Sequence, residues 1–195
     1  MGITPQNEEV LEKIKETCES AAKPLAHVAK FGAKEVRTFI FDIDRLPEFP
    51  SEGIRTHAAH QTVFDQIAAI KGPVVYVFAI ISAHSSETVR AAAKSYDGPR
   101  AVPAFRKESK VDYTSRVLYV GKVKMKAGFL ARVIQHLGFW GTEKTQGMQL
   151  CHYACGLDLK LELTVFEFEA DMADLLPLLE KAVASQLKPL LGKHQ

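Results

Sequence analysis

Two short stretches in the middle of this 195-residue chain carry side chains suited to chemistry on a phosphodiester. The first is LYVGK at residues 118–122, which predicts a strand that ends in a tight turn at Gly121. The second is a predicted helix on which Arg132 and His136 stand one turn apart on one face. We therefore expect the phenol of Tyr119, a guanidinium, an imidazole and a backbone open to a ligand near one spot.

Each of these groups has a known use in phosphate chemistry. Arg132 offers a planar, permanently charged fork for two phosphate oxygens, and Lys122 offers a point charge. Tyrosine is a poor base because its ordinary pKa is near 10, but nearby positive charge lowers that pKa. Glu180, on a later predicted helix, could hold Mg²⁺ or Mn²⁺, since magnesium can be bound by one carboxylate with substrate phosphate and waters.

Taken alone, each side chain also has a purely structural interpretation. Tyr76 lies in an apolar run at residues 74–81 and is typical of a packed ring. Arg132 and His136 could line a solvated helix face, and Glu180 could be an ordinary surface charge. Only their joint order along the predicted elements favours a functional site.

The formal net charge of +2 conceals an uneven distribution. Residues 99–144 contain ten basic and three acidic residues, whereas residues 158–180 contain seven acidic residues and Lys160. A basic middle segment predicts a polyanion partner met on one face, with a solvated charged loop as the alternative. The residues expected to contact nucleic acid are Arg106, Lys107, Lys110, Gly121, Lys122, Lys124 and Lys126.

Composition predicts a soluble globular protein, because 47% of the residues are hydrophobic and 25% are charged. No apolar run reaches the roughly 20 residues of a membrane helix. The N-terminus lacks the basic-then-apolar pattern of a secretory signal. We therefore expect a cytoplasmic protein without a membrane partner.

Hydrophobic periodicity predicts a mixed α+β chain. Helices are expected at residues 7–31, 51–71, 85–96, 129–137 and 174–188, the last capped by Asp174 with Pro177 in its first turn. Strands are expected at residues 35–43, 74–81, 116–121 and 159–165. A basic, irregular segment is expected at residues 99–115.

From residue 73 onward, this order and its motifs resemble the GIY-YIG nuclease family, which has a ββαβα core around a small sheet. PVVYVF at residues 73–78 stands where the first tyrosine element belongs, with Tyr76 at the tyrosine position. LYVGK at residues 118–122 matches the second tyrosine element. Residues 188–193 resemble the closing motif.

The resemblance also implies roles for individual side chains. Arg132 matches the arginine of the family's helix, and Glu180 matches its metal-binding glutamate. His136 matches a histidine of the restriction-enzyme branch, where it could position the base or bind phosphate. The family favours the first tyrosine, here Tyr76, as general base, and Tyr119 would then orient water or phosphate. From the sequence itself, the choice between the two tyrosines stays open.

Three features depart from the family pattern. The two tyrosine elements lie 43 residues apart, so residues of about 82–115 form an inserted helix and basic loop. The gap from Gly121 to Arg132 is slightly long. Gly192 takes the place of an asparagine, which removes one side chain near the site.

We therefore expect a GIY-YIG-like nuclease domain at residues 73–195, preceded by an N-terminal α/β extension of unknown role at residues 1–72. The expected function is metal-dependent endonucleolytic cleavage of DNA in restriction, defence or repair, with RNA as another substrate class. Restriction-like relatives often act as homodimers, because cutting a duplex needs two sites. The alternatives are a catalytically weak nucleic-acid-binding module on the same fold and an interaction protein whose N-terminal segment binds a protein.

Overall fold

A computed structural model describes residues 5–47, 54–98, 105, 107, 111–124, 128–139 and 147–192 of the chain. Within these residues the fold is mixed α+β, which confirms the predicted class. Four strands form one small antiparallel sheet in the order β1-β4-β2-β3. The strands are β1 (Glu35–Asp42), β2 (Val74–Ile80), β3 (Val117–Val123) and β4 (Lys160–Glu167).

Six α-helices connect and cover these strands in the described part of the chain. They are α1 (Pro5–Phe31), α2 (Gln61–Ala68), α3 (Ser86–Ser95), α4 (Phe129–Leu137), α5 (Leu150–Tyr153) and α6 (Leu176–Leu187). Short 3₁₀ turns lie at Ile43–Arg45, Ile54–Thr56 and Ala170–Met172. Most predicted elements are present within a few residues of their expected bounds, and α5 is an addition that the sequence pattern did not indicate.

The helix expected at residues 51–71 is wrong as one continuous element. The described part is a 3₁₀ turn at Ile54–Thr56, then a turn, then α2. Ile54 and Ile67 are both buried in the main core. In one straight helix these two residues would point about 140° apart at 3.6 residues per turn. The break lets both side chains reach the core.

The last helix begins differently from the expectation. Leu175 is the N-cap of α6, and Pro177 lies in its first turn as predicted. Asp174 does not cap the helix, because its carboxylate accepts a hydrogen bond from Lys124 Nζ at 2.6 Å. The carboxylate that we expected to cap the helix therefore pairs with the ammonium of Lys124 instead.

The two faces of the sheet bury different cores, because successive strand residues point to opposite sides. Tyr76 and Phe78 of β2 lie in the larger core with Val133 and Leu137 of α4. On the other face, Val75 and Val120 pack with Leu176 and Ala184 of α6. Helices α4 and α6 therefore cover opposite faces of the same strand pair.

A register shift in β3 lies next to its tyrosine. Phe78 pairs with Tyr119, whereas the next residue, Ala79, pairs with Val117. Leu118 is the extra residue of this bulge, and both Leu118 and Tyr119 reach the larger core. The pairing of Tyr119 with Phe78 places Tyr119 on the same face as Tyr76, and the bulge adds Leu118 to that face.

The sheet crosses the expected division of the chain at residue 72. Strand β1 pairs with β4 along its whole length, from Glu35 opposite Glu167 to Asp42 opposite Lys160. Helix α2 also packs against α4. Residues on both sides of position 72 therefore contribute to one sheet and one larger core, and the division itself stays a prediction.

In the described part of the chain, no helix is long and apolar enough to cross a membrane.

Candidate active site

Four of the predicted site residues meet in one hydrogen-bonded cluster between the sheet and α4. The hydroxyl oxygen of Tyr76 lies 2.8 Å from His136 Nε2. Arg132 donates from Nε to Tyr76 Oη at 3.3 Å and from Nη2 to Tyr119 Oη at 3.2 Å. The guanidinium therefore bridges the two phenols, and the imidazole contacts the deeper one.

Gly121 is the structural condition for this cluster. It stands opposite Tyr76 in the strand pair, and β3 continues past it to Val123. The glycine turn expected here is therefore wrong. A Cβ at this position would come within 2.5 Å of Tyr76 Cζ and 2.7 Å of Tyr119 Cε1. The glycine is needed because two aromatic rings occupy the space above its backbone.

The backbone of Met148 determines the protonation of His136. Met148 N–H donates to His136 Nδ1 at 3.2 Å, so Nδ1 is an acceptor. In the neutral ring the proton then lies on Nε2, which donates to the oxygen of Tyr76. Burial, with the nearby charge of Arg132, holds the pKa of His136 well below its ordinary value. His136 is therefore a neutral hydrogen-bond donor to the phenol.

The oxygen of Tyr76 accepts two N–H donors, from His136 and Arg132. A phenol has one O–H and two acceptor lone pairs, so its own proton must point in a third direction. Burial raises the pKa of Tyr76 strongly, and the phenol of Tyr119 and the carboxylate of Glu180 add to that rise, while Arg132 opposes it. At neutral pH the group is therefore a neutral phenol, and among the described residues Arg132 is the one neighbour that favours its anion.

Arg132 keeps its charge although it is largely withdrawn from water. Burial works against the charged form, but the two phenols and their hydrogen bonds outweigh it and raise the pKa. Gln135 accepts a hydrogen bond from Arg132 Nη1 at 2.8 Å. Sequence reasoning missed Gln135, although its place three residues after Arg132 on a helix is a usable signal.

Glu180 and Lys122 form a separate pair on the side of the sheet that α6 covers. Lys122 Nζ donates to Glu180 Oε2 at 2.7 Å, and the glutamate is only 6% exposed. The carboxylate is still near enough to raise the pKa of Tyr76. The lysine expected to contact nucleic acid is therefore held by the glutamate expected to bind metal.

The other bases expected to contact nucleic acid are only partly described. Lys124 pairs with Asp174, and both side chains are well exposed, 48% and 93%. Lys107 is exposed. Arg106, Lys110 and Lys126 lie outside the described residues. An exposed pair such as Lys124–Asp174 contributes little to stability and is easily exchanged for another partner.

The donor set fits a metal that is bound mainly through substrate and water. Among the described residues no group of three or more His, Cys, Asp or Glu side chains could form a closed metal site. Glu180 supplies one carboxylate, and magnesium can be held by a single carboxylate with phosphate oxygens and waters. Since Lys122 contacts Oε2 of this carboxylate, the ammonium and a divalent cation would compete for it.

Comparisons with protein-family models, with curated proteins and with solved structures find no match for this chain. Membership of the GIY-YIG family therefore stays a prediction from the motifs.

Replacing Gly121 with alanine should destabilise the protein by about 1–3 kcal/mol, because the added methyl must displace two packed rings. Urea unfolding monitored by circular dichroism measures this cost. Tyr76→Phe removes one of the crowding atoms, the phenol oxygen. The double variant should therefore lose less stability than the sum of the two single variants. Strict additivity would contradict the close packing over Gly121.

Stability should fall in mild acid because His136 is buried in its neutral form. Below the ordinary histidine pKa near 6.5, the unfolded chain binds a proton at this residue and the folded chain does not. The free energy of unfolding should then decrease by up to about 1.4 kcal/mol for each pH unit. Urea unfolding between pH 7.5 and 5 should show a shallower dependence in His136→Gln, and equal slopes in the two proteins would disprove this assignment.

Proposed function

We propose that this protein is a metal-dependent endonuclease that hydrolyses phosphodiester bonds in DNA, related to the restriction-like branch of the GIY-YIG family. One observation carries the proposal. The oxygen of the fully buried Tyr76 accepts hydrogen bonds from two nitrogen donors, Arg132 and His136, with Glu180 close enough to influence its pKa. A tyrosine that only fills a core needs one partner for its hydroxyl, whereas this arrangement suits a phenol that becomes an anion.

Tyr76 is the proposed general base. Once the phenol has lost its own proton to solvent, its anionic oxygen takes a proton from the attacking water, and the N–H groups of His136 and Arg132 donate to that oxygen. The neutral state of His136 matters here, because a ring that donates from Nε2 cannot also remove the proton of the phenol at that nitrogen. His136 is therefore proposed to position the base.

Arg132 is the proposed phosphate clamp. Its guanidinium already lies between the two phenols and is held from the side by Gln135. A charged, planar fork fixed in this way can contact a phosphate without a large loss of side-chain entropy. Tyr119, which shares Arg132 and is slightly exposed, is proposed to orient the phosphate or the water.

Glu180 is the residue proposed to hold Mg²⁺ or Mn²⁺, and the metal when bound would stabilise negative charge on the phosphate and the leaving oxygen. Lys122 pairs with this carboxylate at 2.7 Å, so the metal would have to displace the ammonium. The exposed Lys107 and Lys124 would contribute salt-dependent contacts with the backbone of the nucleic acid. A cytoplasmic role in restriction, defence or repair follows from the same proposal.

A second candidate is a nucleic-acid-binding module with weak or no catalysis. Gly192, which stands in place of the family's asparagine, adopts a φ of 116°. This backbone conformation favours glycine and disfavours any side chain at the position. An asparagine could therefore not replace Gly192 without strain. The absence of its amide favours a site that holds the metal less firmly.

Cleavage of supercoiled plasmid with magnesium, manganese or EDTA tests the first candidate. Tyr76→Phe should lower the cleavage rate by about 10²–10⁴, the usual contribution of a general base. Tyr119→Phe, measured in parallel, decides which tyrosine is the base. Tyr153→Phe is the matched control, because Tyr153 also has a buried hydroxyl but lies outside the cluster.

Glu180→Gln should abolish metal-dependent cutting while DNA binding survives, because it removes the charge and nearly preserves the shape of the side chain. Glu169→Gln, at an exposed ion pair with Lys34, should leave cutting unchanged. Gel-shift assays at several salt concentrations measure the binding. Salt-sensitive binding by a wild-type protein that never cuts would favour the binding module, and no binding at all would contradict both candidates.

A further inference from the structure

Helix α1 carries an apolar stripe that the rest of the fold covers only at one end. Leu25 and Val28 pack against the smaller core, whereas Leu11 and Ile14 are 44% and 54% exposed. The members of the stripe are Leu11, Ile14, Cys18, Ala21, Leu25 and Val28, at alternating intervals of three and four residues. Such intervals keep a narrow apolar seam on one side of a helix, facing one partner. The exposed half of this seam therefore lacks an apolar partner among the described residues.

The same chain has an open apolar groove next to the covered end of α1. The groove lies over the sheet face between the end of α1 and α6, with a volume of about 670 Å³. Val36, Val77, Phe166 and Val183 are among its lining residues, and Val36 is 55% exposed. The groove is thus a second apolar surface that the described fold leaves uncovered.

We propose that this groove receives the exposed half of α1 from a second copy of the chain, and that reciprocal docking forms a two-fold symmetric dimer. Val28 and Ala33, at the end of α1, form part of the groove wall. Stripe and groove are therefore neighbours on one molecule, so two copies can satisfy both at once in a closed pair. The proposal concerns assembly and is independent of the proposed nuclease activity.

The sizes of the two surfaces are compatible. The segment from Val10 to Ala21 is about 18 Å long at 1.5 Å per residue. The groove is lined along β4 from Glu162 to Phe166, which spans roughly 14 Å at about 3.4 Å per residue. A helix segment of this length can lie along the groove beside α6. A direct coiled coil between two α1 helices is less favourable, because the exposed seam is shorter than the three to four heptads typical of that structure.

The charges of the two surfaces are also complementary. Among the described residues that line the groove, Glu162 alone is charged. Lys15 lies beside Ile14 at the edge of the stripe, where its present partner is Glu12 at 3.1 Å. That pair is well exposed, so Lys15 can exchange it for Glu162 of a second copy at little cost.

Sedimentation velocity tests the dimer. The wild type should sediment with about twice the mass of the 21.6 kDa chain. Leu11→Glu with Ile14→Glu should give monomers, and so should Val36→Glu with Leu187→Glu in the groove. The matched controls are Lys13→Glu on α1 and Leu178→Glu on α6, which place the same charge on exposed positions outside stripe and groove.

A charge swap tests the docking mode. Lys15→Glu and Glu162→Lys should each weaken dimerisation about tenfold, and the double variant should return to near the wild-type dissociation constant. Circular dichroism checks that every variant is folded. A monomeric wild type would overturn the proposal. Dimers that survive the groove substitutions, or a double variant as weak as the sum of the singles, would also overturn it.

Discussion

The site depends on the contact of Tyr76 with the bare backbone of Gly121. Because no Cβ stands at that position, the tyrosine ring can lie across the neighbouring strand with its hydroxyl aimed at α4. Arg132 and His136, one turn apart on that helix, then meet the same oxygen. A side chain at position 121 would displace the ring and so separate the base from both of its donors.

Burial keeps two groups of the cluster neutral and leaves one charged. It keeps His136 neutral and Tyr76 protonated, while the phenols on Arg132 allow the guanidinium to remain charged. The cluster holds one strong positive charge and two groups that donate to a single oxygen. A phenolate in this arrangement is costly, and added positive charge lowers that cost, so the proposed base would act only with the metal bound.

The two faces of the sheet carry different groups. The face under α4 buries the hydrogen-bonded cluster, and the opposite face carries Glu180 with Lys122 as well as the open groove. The proposed chemistry and the proposed assembly would therefore share strands β2 and β3 without sharing side chains. An enzyme that cuts both strands of a duplex needs two sites, and a dimer built on the outer face would supply them.

The sequence alone determined the order and approximate bounds of most elements, because apolar periodicity depends on local spacing. Residue spacing also placed Tyr119, Arg132 and His136 in one group, which Tyr76 joined through the family resemblance. Tertiary structure alone decided the rest. The bulge at Leu118, the tautomer of His136 and the need for glycine at position 121 arise from atoms far apart in the chain, so no local pattern predicts them. The pairing of β1 with β4 has the same origin, since 118 residues separate Asp42 from its partner Lys160.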